Sequence, residues 1–209
     1  MTTPESPLVF LAMVGFISLS GVIMPGPLFA ATVAKGYRDV RAGLKIAIGH
    51  AVIEIPLIIA VFFGLDYLFK DQAVFALIGI LGGAILVYMG YSMIRSRESM
   101  MDDQEEVKYG AFMAGIITTV TNPYFFLWWA TVGAALITGA IEFGLIILPF
   151  FILVHLACDF GWEHFVSFSI FKTKGLWSRK RHHLIFLVSG IIMLVFGVYF
   201  FSSSVISLV

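Results

Sequence analysis

Two histidines and two carboxylates carry the chemistry that this sequence is equipped to do. His50 and Glu54 stand in Gly-His-Ala-Val-Ile-Glu, and His155 and Asp159 in Val-His-Leu-Ala-Cys-Asp. Both are i, i+4 pairs, so on a helix each pair shares one face, one turn apart. Both also lie well inside long apolar runs. With a helix starting near Ala42, Glu54 is about twelve residues in, or ~18 Å deep at a rise of about 1.5 Å per residue. A carboxylate at that depth is costly and marks a proton or ion path by default. An imidazole beside it can take up and release one proton near neutral pH, which coupling to a proton gradient requires. The competing role is interhelical glue, each pair hydrogen-bonding only itself. Recurrence of the pair favours function. The same four side chains are plausible ligands for a divalent metal, so metal export is the alternative chemistry.

A pair of helix breaks accompanies them. Pro25-Gly26-Pro27 interrupts the uncharged run from Leu8 to Val33, and Asn122-Pro123 interrupts a second run about a hundred residues later. Each proline removes a backbone donor and clashes with the carbonyl one turn earlier. In a bilayer the freed carbonyls need protein or trapped water, so a broken helix lines a cavity. Interrupted helices at matching places in two halves are the best sequence pointer to a transporter's binding site. Pro25, Gly26, Pro27, Asn122 and Pro123 are therefore the expected substrate-binding residues. Glu54, Asp159, His50 and His155 are the expected proton-coupling residues.

The elements that must position these residues are membrane helices. Of 209 residues, 60% are hydrophobic and 12% charged, about half the charge of a soluble domain. Hydropathy gives six expected spans, Leu8–Val33, Ala42–Leu65, Ala73–Ile94, Ala111–Thr138, Phe143–Phe165 and Leu184–Leu208, at about 20 apolar residues each. The apolar run after the N-terminal Met-Thr-Thr-Pro is too long for a signal peptide and reads as a retained first span. The fourth run is too long for one straight helix in a ~30 Å core. It must tilt, unwind at Asn122-Pro123, or end near Gly133 to Gly139.

Twelve of the 13 Lys and Arg fall in three loops, 34–45, 95–110 and 170–183, and only Lys70 lies elsewhere. The positive-inside rule places those loops in the cytoplasm and both termini outside, in a multi-pass cell-membrane protein. The acidic stretch between Arg95 and Tyr109 reads as a solvated linker. It joins a first three-span repeat, 1–98, to a second, 111–209, with residues 99–110 between them. The halves share marks in order: Pro25 and Pro123, His50/Glu54 and His155/Asp159, Gly83/Gly90 and Gly190/Gly197. Three spans per half force the second copy to be inverted.

Other residues read more plainly. Tyr124, Phe125, Phe126, Trp128 and Trp129 suit the core or an interfacial belt, with a pocket for an apolar or cationic side chain as the lesser alternative. Glu163 and His164, near the end of the fifth span, are expected in exposed interfacial positions. Gly82, Gly83 and Gly90 suit close helix packing. Cys158, the single cysteine, is a packing residue and cannot form the pair a thiol-electron carrier needs. Zero net charge argues against a nucleic-acid partner. No nucleophile–base arrangement, cofactor motif or Walker motif is present, so neither an enzyme nor a nucleotide-driven pump is expected.

Pro25-Gly26-Pro27, Lys35-Gly36, Arg41-Ala42-Gly43-Leu44, Gly49 and Glu54 together resemble the first signature of the lysine-exporter (LysE/RhtB) superfamily. Asn122-Pro123 with Phe125-Phe126 and Trp128-Trp129 resembles its second, although many amino-acid exporters of the superfamily have Lys where this chain has Tyr124. The resemblance runs from about Leu8 to the C-terminus. It implies a proton-motive-force-driven exporter of amino acids or similar small metabolites, a homo-oligomer in the bilayer, working without a cofactor.

Overall fold

The computed structural model describes residues 6–24, 26–64, 72–95, 110–176 and 179–206. Among them there are helices and turns and no strand. Pro25, Lys70 and nearly all of the charged linker lie outside the described residues.

The first expected span is two helices. Helix α1 (Pro7–Val22) opens on a proline, whose missing N–H is among those a first turn leaves unpaired anyway, and it stops before the Met24–Pro27 stretch. Gly26 then adopts an extended N-cap backbone and α2 (Pro27–Gly36) starts on the next proline. The two helices are bent by 75°. Helix α3 (Ala42–Phe62) runs unbroken through Pro56 and carries His50 and Glu54 on its buried side. Helix α4 is Gln72–Arg95.

The fourth run unwinds where its proline requires. Helix α5 (Ala111–Val120) ends at Thr121, and α6 (Pro123–Trp128) restarts with the Asn122 side chain accepting from the Tyr124 amide. A π-helical turn over Trp129–Gly133 follows, then α7 (Ala134–Glu142), so the run ends later than Thr138. Gly133 is needed in that turn, because a side chain there would strike the Trp129 ring. Helix α8 (Ile147–Thr173) and helix α9 (Arg179–Ile206) complete the chain.

Among the described residues, α3 and the stretch Tyr124–Glu142 are long and apolar enough to cross a membrane, and the bent α1–α2 pair makes a third candidate. Helix α8 is longer than any of these, but His155, Asp159, Glu163 and His164 lower its apolarity. Large apolar side chains point away from the protein on every long helix, among them Phe16, Val52, Tyr88, Leu153 and Val198. Such faces suit lipid and not water.

Small residues set the packing. Helices α4 and α9 form the most extensive pair, and a Cβ on Gly83 would press on the Gly197 carbonyl, one on Gly90 on the Gly190 carbonyl. Helix α3 packs on α5 through Gly49 against the Phe112 carbonyl and Gly115 against the Ile46 carbonyl. Gly43 lets α3 lie directly on the α8 backbone at Glu163. Two apolar clusters result. One gathers Phe10, Ile58, Trp129, Ile137 and Phe151; the other gathers Val33, Leu86, Val166, Met193 and Phe200. Along α8 the polar positions 155–163 fall between the two.

Candidate functional site

A cavity of about 100 Å³ lies where the broken helices meet α3 and α8. That is room for several waters or a small solute. Gly26, Pro27 and Asn122 line it, as the breaks led us to expect, and so do His50, Glu54, His155 and Asp159. Pro123 sets the start of α6.

The two histidine–acid pairs are brought together, but not as two independent pairs. His50 Nε2 and His155 Nε2 each lie 3.1 Å from the same atom, Glu54 Oε1. Trp129 donates its indole N–H to that oxygen as well, at 3.1 Å. His155, one turn before Asp159, keeps only a 3.6 Å approach to Asp159 Oδ2. Asp159 is thus the weaker partner of its own histidine. Glu54 is 2% exposed and Asp159 3%, and Glu54 Oε2 and Asp159 Oδ2 have no hydrogen-bond partner among the described residues.

The outer nitrogens show how protons are distributed. Thr119 Oγ1 donates to the Gly115 carbonyl at 2.7 Å. The same hydroxyl lies 2.7 Å from His50 Nδ1, and with its proton on the carbonyl its oxygen accepts from Nδ1–H. In that arrangement His50 carries its first proton on Nδ1. The His50–Glu54 contact then needs a second proton, on Nε2 or on the carboxyl, to be attractive at all. His155 differs: Ser18 Oγ sits 2.7 Å from its Nδ1 and can donate there, leaving Nε2–H of a neutral imidazole to face Glu54. That arrangement leaves a place for one proton between His50 and Glu54.

Several site residues were not anticipated from the sequence. Ser18 and Thr119 act across helices, and so does Trp129, expected only as core, belt or pocket lining; hydropathy carries no signal for such contacts. Glu163 is a correction: it was expected at an exposed interfacial position, yet it is 1% exposed, lines the cavity and accepts from Thr32 Oγ1. The signal was present, since Glu163 continues the four-residue spacing of His155 and Asp159. Its burial follows from Gly36 and Gly43, which bring α2 and the start of α3 onto the α8 backbone beside it. The expected aromatic core is present, with Phe125, Trp128 and Trp129 buried, and Tyr124, Phe125, Trp128 and Trp129 also form cavity wall.

For a divalent ion, His50, Glu54 and Asp159 offer ligand atoms all within 4.8 Å of one another. Outside the bundle, Asp39 accepts from Lys45 Nζ at 2.7 Å and from the Arg41 amide at 2.9 Å in the α2–α3 turn. The Lys45 hydrogen bond is the chief cause holding its carboxyl below the usual range.

A family model described as LysE type translocator matches residues 19–204. No curated protein and no solved structure matches the chain.

Proposed function

Because the chain belongs to the LysE family of translocators, a family of membrane transporters, we propose that it is a secondary transporter exporting amino acids or similar small metabolites under proton motive force. The observation that carries the reading is the convergence of His50 and His155 on Glu54 inside a cavity bounded by both helix breaks. A site that holds one exchangeable proton beside the substrate space can make proton movement and substrate movement interdependent. In this reading the N-terminus of α2 at Gly26 and Pro27 faces the substrate's carboxylate, as half-helix ends do in other broken-helix transporters. Asp159 receives the proton when the His50–Glu54 contact opens.

The inverted-repeat plan belongs to the same proposal. It is supported by reciprocal packing: Gly83 meets Gly197 where Gly90 meets Gly190, and Gly49 meets α5 where Gly115 meets α3. The six-span topology, with loops 34–45, 95–110 and 170–183 in the cytoplasm, rests on the distribution of basic residues.

A divalent cation is the second reading, favoured by the His50, Glu54 and Asp159 ligand set and its two unpartnered carboxylate oxygens. Proteoliposome efflux measured over a panel of amino acids and divalent metals, with and without an imposed pH gradient, separates the two. Gradient-stimulated efflux of an amino acid is the expected result. Efflux of metals alone would replace the first reading with the second, and gradient-independent efflux would remove proton coupling.

A further inference from the structure

We infer that Glu163 binds the ammonium group of the transported molecule, whose apolar remainder packs against Phe29, Phe196 and Phe200. The inference rests on the transport reading above and goes further, naming the substrate class as small primary amines with an apolar body, amino acids of that kind included.

The argument starts from charge. The cavity is lined by three carboxylates, Glu54, Asp159 and Glu163, and by two imidazoles, with no Lys or Arg among the described residues around it. Even with both imidazoles protonated, one carboxylate has no counter-charge. Contacts identify which. Glu54 has both imidazoles and the Trp129 N–H converging on one oxygen, and Asp159 shares His155. Among the described residues, Glu163 meets only the neutral hydroxyl of Thr32. A buried ionised carboxylate left in that state is expensive, and a cation brought by the ligand offsets the cost.

Position supports the same assignment. Glu163 lies one helical turn beyond Asp159, about 6 Å along α8, toward the end that carries Lys172 and Lys174. That end faces the cytoplasm under the positive-inside assignment, so Glu163 is the first carboxylate an outgoing molecule reaches. Phe29, Phe196 and Phe200 line the cavity and belong to the apolar cluster that contains Val166, the next buried position on α8. Aromatic faces near an ammonium add cation–π attraction. Thr32 stands on α2, so an ammonium drawing on Glu163 also reaches the half-helix that follows the first break.

Tryptophan fluorescence reads occupancy directly, because Trp128 and Trp129 form cavity wall. Purified protein in nanodiscs is titrated with apolar amino acids, their N-acetyl derivatives and simple alkylamines. The wild type should answer the amino acids and amines and not the acetylated compounds. Glu163→Gln should weaken the amine response about 10- to 100-fold, the scale of a lost hydrogen bond to a charged group. Glu163→Asp should retain part of it. Thr32→Val, which cuts the tie to α2 but keeps the carboxylate, should change affinity by about fivefold or less, the scale of one neutral hydrogen bond. Unchanged affinity in Glu163→Gln, or an equal loss in Thr32→Val, would overturn the assignment and leave Glu163 as a tie between helices. Response to amines but to no amino acid would overturn the amino-acid reading alone, and response to neither would overturn both.

Discussion

His50–Glu54 and His155–Asp159 have the same spacing, the same helix setting and nearly the same burial, yet they are not chemically equivalent. The first histidine keeps its own acid at 3.1 Å, whereas the second leaves Asp159 at 3.6 Å and reaches across to Glu54 at 3.1 Å. Their outer partners differ too. Thr119 has already spent its proton on a carbonyl, and Ser18 is able to give its own. The two pairs have the same spacing in sequence, and they differ because their surroundings are unequal. Symmetry of packing therefore does not imply symmetry of chemistry.

The sharpest way to break this comparison is to remove titration from each acid in turn. Glu54→Gln removes the carboxylate on which both imidazoles and the Trp129 N–H converge and should lower gradient-driven efflux by about a hundredfold or more, given roughly tenfold to a hundredfold for one charged hydrogen bond. Asp159→Asn should lower it by only about tenfold. Equal losses in the two variants, measured in proteoliposomes with an imposed pH gradient, would restore the picture of two equivalent pairs.

Packing is where the halves should behave alike. Gly49→Ala and Gly115→Ala each place a methyl group against a backbone carbonyl of the facing helix, and overpacking of this kind costs about 1–3 kcal/mol. Thermal unfolding in detergent should show a similar loss for both. A large difference would mean that the reciprocal α3–α5 contacts are not equivalent.

Thr119 and Ser18 refine the proton assignment. Thr119→Val removes the acceptor that fixes His50, so the midpoint of the pH profile of efflux should move by about half a unit to one unit, the scale of one hydrogen bond. Ser18→Ala should leave that midpoint in place and slightly lower the rate. A reversed pattern would assign the exchangeable proton to His155.

The smallest effect is expected at Asp39, where the ion pair with Lys45 is exposed. Its lowered carboxyl stabilises the fold above the unfolded pKa, and that contribution is lost as pH falls through the folded value. Exposed pairs contribute little. Asp39→Asn should therefore leave the neutral-pH melting temperature nearly unchanged and slightly reduce its fall in acid.

The class of protein and several residues of its candidate cavity are written in the linear chain. Apolar runs too long and too uncharged for water specify membrane helices. Prolines specify the breaks, because a missing donor has the same effect in any surroundings. The i, i+4 spacings specify which polar side chains share a face, and that rule extends to Glu163, whose burial it could have indicated. Contacts between helices are not written in that way. Whether His155 meets Asp159 or Glu54 depends on how α8 is rotated against α3, and Gly43 determines how closely those backbones approach. Thr119 and Trp129 enter the site because α5 ends at its break and the π-helical turn places its first residue, Trp129, beside Glu54. Such placements are cooperative results of packing, and only the tertiary structure decided that two histidines would share one carboxylate.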